Sequence, residues 1–391
     1  MKIIKKDGTL SDFKREKIKS AISKSAERVM VRLTDSDVDF VCDYVLKKTT
    51  DLDTVPVSDI HNIVESALEE LYPSVAKSYR DYRNYKQDFV HMLDEVYKKA
   101  QIIRYIGDRD NANTDSALVP TQRSLIYNEL NSALYKKFFL NVKEREAMRD
   151  GYIYIHDRSA RLDTMNCTIY DMYNVITGGF EMGNVWYTEP KTLDVAFDVI
   201  SDVTMSAAAC QYGGFTIPRI DTLLAPYAEK SYRKYLDEHA GIQLELGYTE
   251  IDEEKAREYA RKKVYRDFEQ GFQAWEYRFN TVGSSRGDYP FIAVSFGIDT
   301  SEWGQMATEV ALKVRMGGQG DRGKKKPVLF PKLTFLYDEE LHGEGKPMEF
   351  LFNIAVECSS KSMYPDFLSL SGEGYIPSIY KKYGKVISLM G

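Results

Sequence analysis

The feature that most constrains the fold is the order of short patterns over residues 1–99. The segment Lys2-Ile3-Ile4-Lys5 predicts a short strand, Asp7-Gly8 predicts a tight turn, and a second short strand leads to Phe13. Apolar residues at helical spacing then predict four helices. Their patterns run from Ile18 to Val29, from Thr34 as N-cap to Leu46, from Ser58 to Leu71, and from Pro73 to about Lys99.

A hairpin followed by four helices is a complete small α+β domain, which we place at residues 1–95. Residues 96–391 alternate helical stretches with short apolar runs, at Tyr152–Ile155, Phe291–Phe296 and Val328–Tyr337. This alternation predicts an α/β domain. The Asp-, Asn- and Gly-rich segment Gly107–Ser116 is interpreted as the linker or entry loop between the two domains.

Composition and charge exclude several classes of protein. The 391 residues carry a formal net charge of -6, which argues against a protein that coats nucleic acid, because phosphate binding needs clustered Lys and Arg. The N-terminal sequence lacks the apolar core of a secretory signal, and no stretch approaches the ~18 apolar residues that span a bilayer. We therefore expect a cytoplasmic protein without membrane contact. The four cysteines form no CxxC pair, so we predict no metal site in this stretch.

The opening motif IIKKDGTLSDFKREKI, with VPVSDIHNIVESAL and YRDYRNYK further on, resembles the ATP-cone, a regulatory nucleotide-binding domain. Lysines beside a glycine turn offer the charges and the close backbone approach that a phosphate chain needs. Taken alone, Lys-Lys-Asp-Gly is more often a solvated basic turn. The resemblance implies an ATP/dATP pocket, with Mg²⁺ on the phosphates, at Lys5, Lys6, Gly8, Lys17, His61 and Lys86.

Residues 110–370 resemble the catalytic domain of the anaerobic, class III ribonucleoside-triphosphate reductases. The motifs occur in the family's order: ALVPTQRSL, GYIYIHD, MNCTIYDM, GGFEMGN, QYGGFTIPRID, LAPY, FNTVGSSRGDYPF, LFPKLTF and ECSSKSMYPD. The resemblance implies part of an α/β ten-stranded reductase barrel. It also implies a catalytic Cys167, which donates a hydrogen atom at the 2′-carbon, and a ribonucleotide site at Thr121, Gln122, Arg123 and Asn166.

Each of these residues has a plainer interpretation. Cys167, in what the pattern suggests is a partly buried strand, could be inert packing. Thr-Gln-Arg could form the polar start of a helix. His156 could be an acid–base group or a satisfied core histidine bonded to Asp157 or to backbone. Gln211, which resembles an effector-specificity position at the end of a helix over residues 192–211, could belong to a helix C-terminus closed by Gly213-Gly214.

The resemblance further implies a homodimer, a ribonucleoside triphosphate substrate and an iron–sulfur activase that uses S-adenosylmethionine. The thiyl-radical cysteine, the radical glycine and the zinc-binding cysteines would lie beyond Gly391, so this polypeptide is expected to bind nucleotides without reducing them. Formate or a dithiol would be the reductant. The alternative is a non-catalytic ATP-cone regulator, which would need a DNA-binding zinc ribbon or basic helix within Val119–Asp366; neither is visible.

Overall fold

The chain divides into two compact units, Met1–Lys98 and Lys99–Gly391. The computed structural model describes residues 1–5, 7–105, 115–162, 165–248, 250, 252–281, 283, 287–321 and 323–384. The boundary between the units falls three residues after the expected end of the first domain at residue 95. Of the predicted linker Gly107–Ser116, residues 107–114 lie outside the described ranges.

The first unit is a three-stranded sheet with four helices. Its strands are β1 (Lys2–Ile4), β2 (Leu10–Asp12) and β3 (Thr54–Pro56), and its helices are α1 (Arg15–Arg28), α2 (Asp35–Lys48), α3 (Val57–Leu71) and α4 (Pro73–Tyr105). The predicted hairpin is confirmed, because β1 pairs antiparallel with β2. The third strand was not predicted: β3 pairs parallel with β1 and places Val55 opposite Ile3. Three residues that end in proline carry too short an alternation to predict a strand.

Local signals explain where the helices begin. Thr34 caps α2 in a reciprocal capping box with Asp37, as its position before the apolar pattern predicts. Pro73 begins α4, where a missing N–H is tolerated. The apolar faces meet in one core, in which Ile22, Val45, Val64, Leu68 and Val75 are fully buried.

The second unit is built on a parallel five-stranded sheet with the order β10-β9-β8-β7-β4. The strands are β4 (Thr168–Ile169), β7 (Phe215–Ile217), β8 (Ile292–Phe296), β9 (Lys332–Tyr337) and β10 (Asp366–Ser369), with a separate hairpin of β5 (Phe180–Met182) and β6 (Val185–Tyr187). The helices are α5 (Val119–Phe138), α6 (Val142–Arg149), α7 (Met172–Ile176), α8 (Leu193–Cys210), α9 (Ile220–Glu245), α10 (Glu253–Thr281), α11 (Glu302–Gly317), α12 (Glu339–His342), α13 (Glu349–Ser362) and α14 (Tyr375–Tyr383). A short 3-10 helix, η1, covers Arg158–Leu162.

Successive strands of this sheet are neighbours and all run in one direction, with helices in the connections, which agrees with the predicted α/β barrel part. All five residues of β8 are buried. Phe197 on α8 packs edge-on against Trp275 on α10, with ring centroids 4.8 Å apart. The helices that surround the sheet thus bury its central strand, as parallel sheets require.

One predicted apolar run does not form a strand. Tyr152–Ile155 has no regular secondary structure, and the side chains of Tyr152 and Tyr154 are 84% and 81% exposed. The alternation of Tyr and Ile follows the turn at Gly151, whose φ is +83°, and meets no partner strand among the described residues. By contrast, the runs that contain β8 and β9 were predicted correctly.

Candidate functional site

A cavity of about 800 Å³ lies in the first unit between α1, α3 and α4. Its volume is in the range of small-molecule binding sites. The cavity is lined by Lys5, Ala21, Lys24, Ser25, Arg28, Val57, His61, Tyr79, Tyr82, Arg83, Tyr85, Lys86, Phe89 and Val90.

The cavity wall combines positive charge with aromatic rings. Five of these lining residues are lysine or arginine, and none of them is acidic. The Arg28 guanidinium lies 3.9 Å from the centroid of the Tyr82 ring, and Lys86 Nζ lies 5.2 Å from the same centroid. Cations over an aromatic face are attracted by the ring's quadrupole. The arrangement suits a ligand that has both an anionic part and a flat ring.

His61 is held by a buried tyrosine. Its Nδ1 lies 2.6 Å from the Tyr79 hydroxyl oxygen, and the two rings are tilted at 54°. Desolvation raises the pKa of Tyr79 to about 12, so this hydroxyl stays protonated at neutral pH. The tyrosine therefore fixes the orientation of the imidazole at the cavity wall.

Three of the six residues predicted for the nucleotide pocket, Lys5, His61 and Lys86, line this cavity. Gly8 instead forms the hairpin turn, where its φ of +79° favours glycine and its N–H donates to the Lys5 carbonyl at 3.0 Å. Lys17 lies on α1 one turn before the lining residue Ala21 and is exposed. Lys6 lies outside the described residues.

Sequence reasoning missed the cations that α1 and α4 add to the wall. Lys24 and Arg28 are four residues apart on α1, and Arg83 lies one residue after Tyr82 on α4. The helical spacing of basic and aromatic residues was the available signal. Arg83 also lies 3.1 Å from a carboxylate oxygen of Glu65, which orders its side chain.

In the second unit, Cys167 lies directly before β4 and is exposed. This corrects the expectation of a partly buried strand position, because β4 consists of only two residues and begins one residue later. The Cys167 thiol lies 3.8 Å from the Asn166 side-chain oxygen, within reach of a weak S–H donor. A pure packing role does not account for an exposed thiol.

Gly213 allows two segments to approach closely beside this thiol. Its N–H donates to the Asn166 carbonyl at 2.7 Å, and a Cβ on Gly213 would lie 2.4 Å from that oxygen and 2.8 Å from Cys167 Sγ. The predicted closure of α8 by a glycine C-cap is wrong, because neither Gly213 nor Gly214 has a positive φ. Glycine is needed here for space.

Gln211 follows α8 and is buried. Its side-chain oxygen accepts from the Thr168 hydroxyl at 3.1 Å, and its amide nitrogen lies 3.2 Å from the Gly213 carbonyl. These contacts tie the end of α8 to β4. They give Gln211 a structural role, and effector specificity stays a prediction.

The residues of the VPTQR motif lie in the first turns of α5. The Thr121 side chain is fully buried and its hydroxyl donates to the Gly287 carbonyl at 2.9 Å. The Gln122 amide donates to the Ser116 carbonyl at 3.1 Å, and Arg123 is exposed. These contacts match the helix-start interpretation, and ribonucleotide binding by the three residues stays a prediction.

A polar cleft of about 550 Å³ lies between α5, η1 and the Tyr212 segment. Asp157 lines this cleft. Its carboxylate accepts a hydrogen bond from Asn166 Nδ2 at 2.9 Å and lies 2.5 Å from His156 Nδ1. His156 is thus bonded to Asp157, as its plainer interpretation expects, although its side chain is 75% exposed.

The remaining cysteines differ in exposure. Cys42 and Cys358 are buried, and burial raises the pKa of both thiols. Cys210 is exposed at the end of α8. From the sequence, all three are expected to be structural cysteines; burial agrees with this for Cys42 and Cys358, whereas Cys210 is exposed.

The IPRID motif has a structural explanation that the sequence did not reveal. The buried Asp221 carboxylate accepts hydrogen bonds from the backbone N–H groups of Gly297, Ile298 and Asp299 at 2.8–3.0 Å. His342 Nε2 lies 2.8 Å from the Gly297 carbonyl. Together the two side chains anchor the loop that follows β8.

Comparisons with known proteins identify the family. The sequence matches the ATP cone domain over residues 1–88 and the family described as anaerobic ribonucleoside-triphosphate reductase over residues 110–391. The anaerobic ribonucleoside-triphosphate reductase of Haemophilus influenzae is 31% identical over 381 residues, which cover 94% of this chain and 52% of that protein. The reductase of phage T4 is 33% identical over 263 residues, covering 66% and 42%.

A crystal structure of the anaerobic ribonucleotide reductase from Thermotoga maritima with MES in the active site superposes with a TM-score of 0.47 at 15% identity, covering 74% of this chain and 50% of that one. The parallel sheet of the second unit and the match to the ATP cone domain together define the class of protein: an α/β domain preceded by an ATP cone domain. The chain belongs to the anaerobic ribonucleoside-triphosphate reductase family. It spans about half the length of the curated relatives that it matches.

No helix in the described parts of the chain is both long enough and apolar enough to cross a membrane.

Proposed function

We propose that this chain is the nucleotide-sensing and substrate-facing part of an anaerobic ribonucleoside-triphosphate reductase. The observation that carries the proposal is the cavity of the first unit, where lysine and arginine side chains surround an aromatic wall. Such a wall binds a nucleoside triphosphate through charge-assisted hydrogen bonds to phosphate and through ring stacking to the base. ATP and dATP are the proposed effectors, with Mg²⁺ carried on their phosphates.

Each side of the cavity has a distinct task in this proposal. Lys5 and Lys86 hold phosphate oxygens. Lys17 on α1 adds positive charge nearby, and Lys6, which lies outside the described residues, stays a predicted phosphate contact. His61, oriented by Tyr79 at 2.6 Å, contacts the sugar. Arg28, whose guanidinium lies 3.9 Å from the Tyr82 ring centroid, adds a phosphate contact or a stacking contact at the base. Binding therefore depends on the helices more than on the hairpin turn.

In the second unit, the proposed substrate is a ribonucleoside triphosphate. In the whole enzyme, a substrate radical formed by removal of the 3′-hydrogen would lose its protonated 2′-hydroxyl as water. Cys167 would then give a hydrogen atom to the 2′-carbon, and formate or a dithiol would reduce the sulfur radical left behind. Asn166, Thr121, Gln122 and Arg123 hold the ribonucleotide. Exposure of the thiol supports this role. The whole enzyme is proposed to work as a cytoplasmic homodimer with an activase and a glycyl radical. No residue of this chain is assigned to the radical or to zinc.

The alternative is a non-catalytic ATP-cone regulator. The match to the reductase family over residues 110–391 favours the enzyme, because a regulator would need a DNA-binding element in that region.

Calorimetry with ATP and dATP tests the cavity. We expect both nucleotides to bind the chain, and Lys86→Ala to weaken binding by about ten- to a hundredfold, because a charged hydrogen bond contributes about 1.5–3 kcal/mol. Lys47→Ala is the matched control, since Lys47 is an exposed lysine of α2 outside the cavity. Absence of binding heat with either nucleotide would remove the proposal.

A further inference from the structure

The structure joins Asp157, Asn166 and Cys167 in one chain of contacts. We propose that Asp157 is a positioning residue that fixes the Asn166 side-chain amide so that its oxygen faces the Cys167 thiol. The inference rests on the proposed function only because it takes the Cys167 thiol as the reacting group. Its test, described below, measures the thiol directly.

The geometry gives the amide one orientation. The Asp157 carboxylate has only acceptor oxygens when ionised, so it must meet the NH₂ side of Asn166, and Nδ2 lies 2.9 Å from Asp157 Oδ2. The amide oxygen then points the other way, 3.8 Å from Cys167 Sγ. If the amide were flipped, its oxygen would face the carboxylate, which is repulsive. Asp157 therefore determines which amide atom the thiol meets.

The backbone of Asp157 supports a positioning role. Its φ is +52°, in the left-handed region that residues other than glycine, asparagine and aspartate avoid. Its carbonyl accepts from the Ala160 N–H at 3.0 Å, which begins η1, and the buried Asn131 of α5 lies 3.4 Å from the Ser159 carbonyl. Strained conformations held by neighbours in this way cluster at functional sites.

Gly213 lies close to both the amide and the thiol. A Cβ at that position would lie 2.7 Å from Asn166 Oδ1 and 2.8 Å from Cys167 Sγ, closer than real contacts allow. Asn166 Nδ2 thus contacts the carboxylate, and its Oδ1 lies near the Gly213 backbone. Removal of the carboxylate is the change that frees the amide to turn.

The test measures the rate at which a neutral maleimide alkylates Cys167 in the 391-residue chain, read by peptide mass spectrometry. Asp157→Gly tolerates the positive φ and removes the carboxylate. The freed NH₂ group can then face the sulfur and stabilise the thiolate, so we expect alkylation to accelerate about threefold or more. Asp157→Asn keeps the backbone preference and one acceptor oxygen, so its rate should stay within about twofold of the wild type.

A double-mutant cycle asks whether Asp157 acts through Asn166. Asn166→Ala removes both the amide oxygen and the NH₂ group, so its alkylation should accelerate less than that of Asp157→Gly, and the double variant should be no faster than Asn166→Ala alone. Additive effects would overturn the proposal, as would an unchanged rate in Asp157→Gly. An Asp157→Asn rate equal to that of Asp157→Gly would also overturn it, because charge alone would then explain the effect.

The same spectra contain the controls. Cys210 is exposed and should react equally in all variants, while the buried Cys42 and Cys358 should stay unmodified as long as the chain is folded. If Cys358 becomes modified in Asp157→Gly, that variant is partly unfolded, and the alkylation rates of Asp157→Asn and Asn166→Ala test the proposal instead. Nucleotide binding by the cavity of the first unit is measured separately. Its absence in the wild type would count against the proposed function and would leave the alkylation result intact.

Discussion

The two candidate sites differ in the local structure that holds their residues. The cavity of the first unit is lined by Lys5 and by residues of α1, α3 and α4, at positions that recur every three or four residues. The thiol edge joins residues 156–157, 166–167 and 211–213, which lie in turns and strand ends. Helical periodicity marks the first kind of site in a sequence, whereas backbone approach creates the second and leaves little trace there.

The largest expected effect comes from a buried ion pair of the second unit, because its loss should destabilise that unit and not the first. Arg315 Nε lies 2.6 Å from Glu276 Oε1, and the two side chains are only 1% and 4% exposed. Glu276→Ala leaves the guanidinium charged and buried, so we expect it to destabilise the second unit by about 3–5 kcal/mol. Denaturant unfolding followed by tryptophan fluorescence measures this, because Trp186, Trp275 and Trp303 all lie in the second unit.

The control for this prediction is Glu253→Ala. Glu253 pairs with Arg257 on the surface of α10, with side chains 76% and 67% exposed, so its loss should cost less than about 1 kcal/mol. Nucleotide binding by the first unit should be unaffected by Glu253→Ala. Equal unfolding midpoints for Glu276→Ala and Glu253→Ala would show that the buried pair does not hold the second unit together.

The sequence predicted the elements of the first unit well because its helices carry long apolar periods and clear caps, such as Thr34. It predicted Lys5, His61 and Lys86 through resemblance, and the structure brings these to one cavity. It could not predict that Gly213 is required for space, because that need arises from Asn166, 47 positions earlier in the numbering. The burial of Thr121 against Gly287 is hidden for the same reason.

A second prediction sharpens the comparison from the side of the cavity. Arg28 was not predicted from the sequence, yet its guanidinium lies 3.9 Å from the Tyr82 ring centroid. If periodic basic residues form the site, Arg28→Ala should weaken dATP binding by about five- to tenfold through loss of a phosphate or stacking contact. Calorimetry on the full chain measures this change.

Arg32→Ala serves as its control, because Arg32 is exposed, follows α1 and does not line the cavity. Its affinity for dATP should match the wild type, and both variants should keep the tryptophan unfolding transition of the second unit. A tighter complex with Arg28→Ala would mean that the arginine shields Tyr82 and opposes the ligand, which would reverse its proposed role.

The smallest expected effect concerns a histidine that resemblance did not identify. Burial lowers the pKa of His342 from its ordinary value of 6.5, although hydrogen bonds to the Gly297 and Asp338 carbonyls partly offset this. In the pH range below 6.5 and above the folded-state pKa, the unfolded chain binds a proton that the folded chain does not. The stability contributed by His342 is therefore present above pH 6.5 and is lost as the pH falls through this range.

His342→Gln removes the titrating group, so its unfolding free energy should fall less than that of the wild type between pH 8 and pH 5.5. Tryptophan-monitored unfolding at both pH values measures the difference. Parallel pH dependence in the two proteins would mean that His342 titrates alike in folded and unfolded chains.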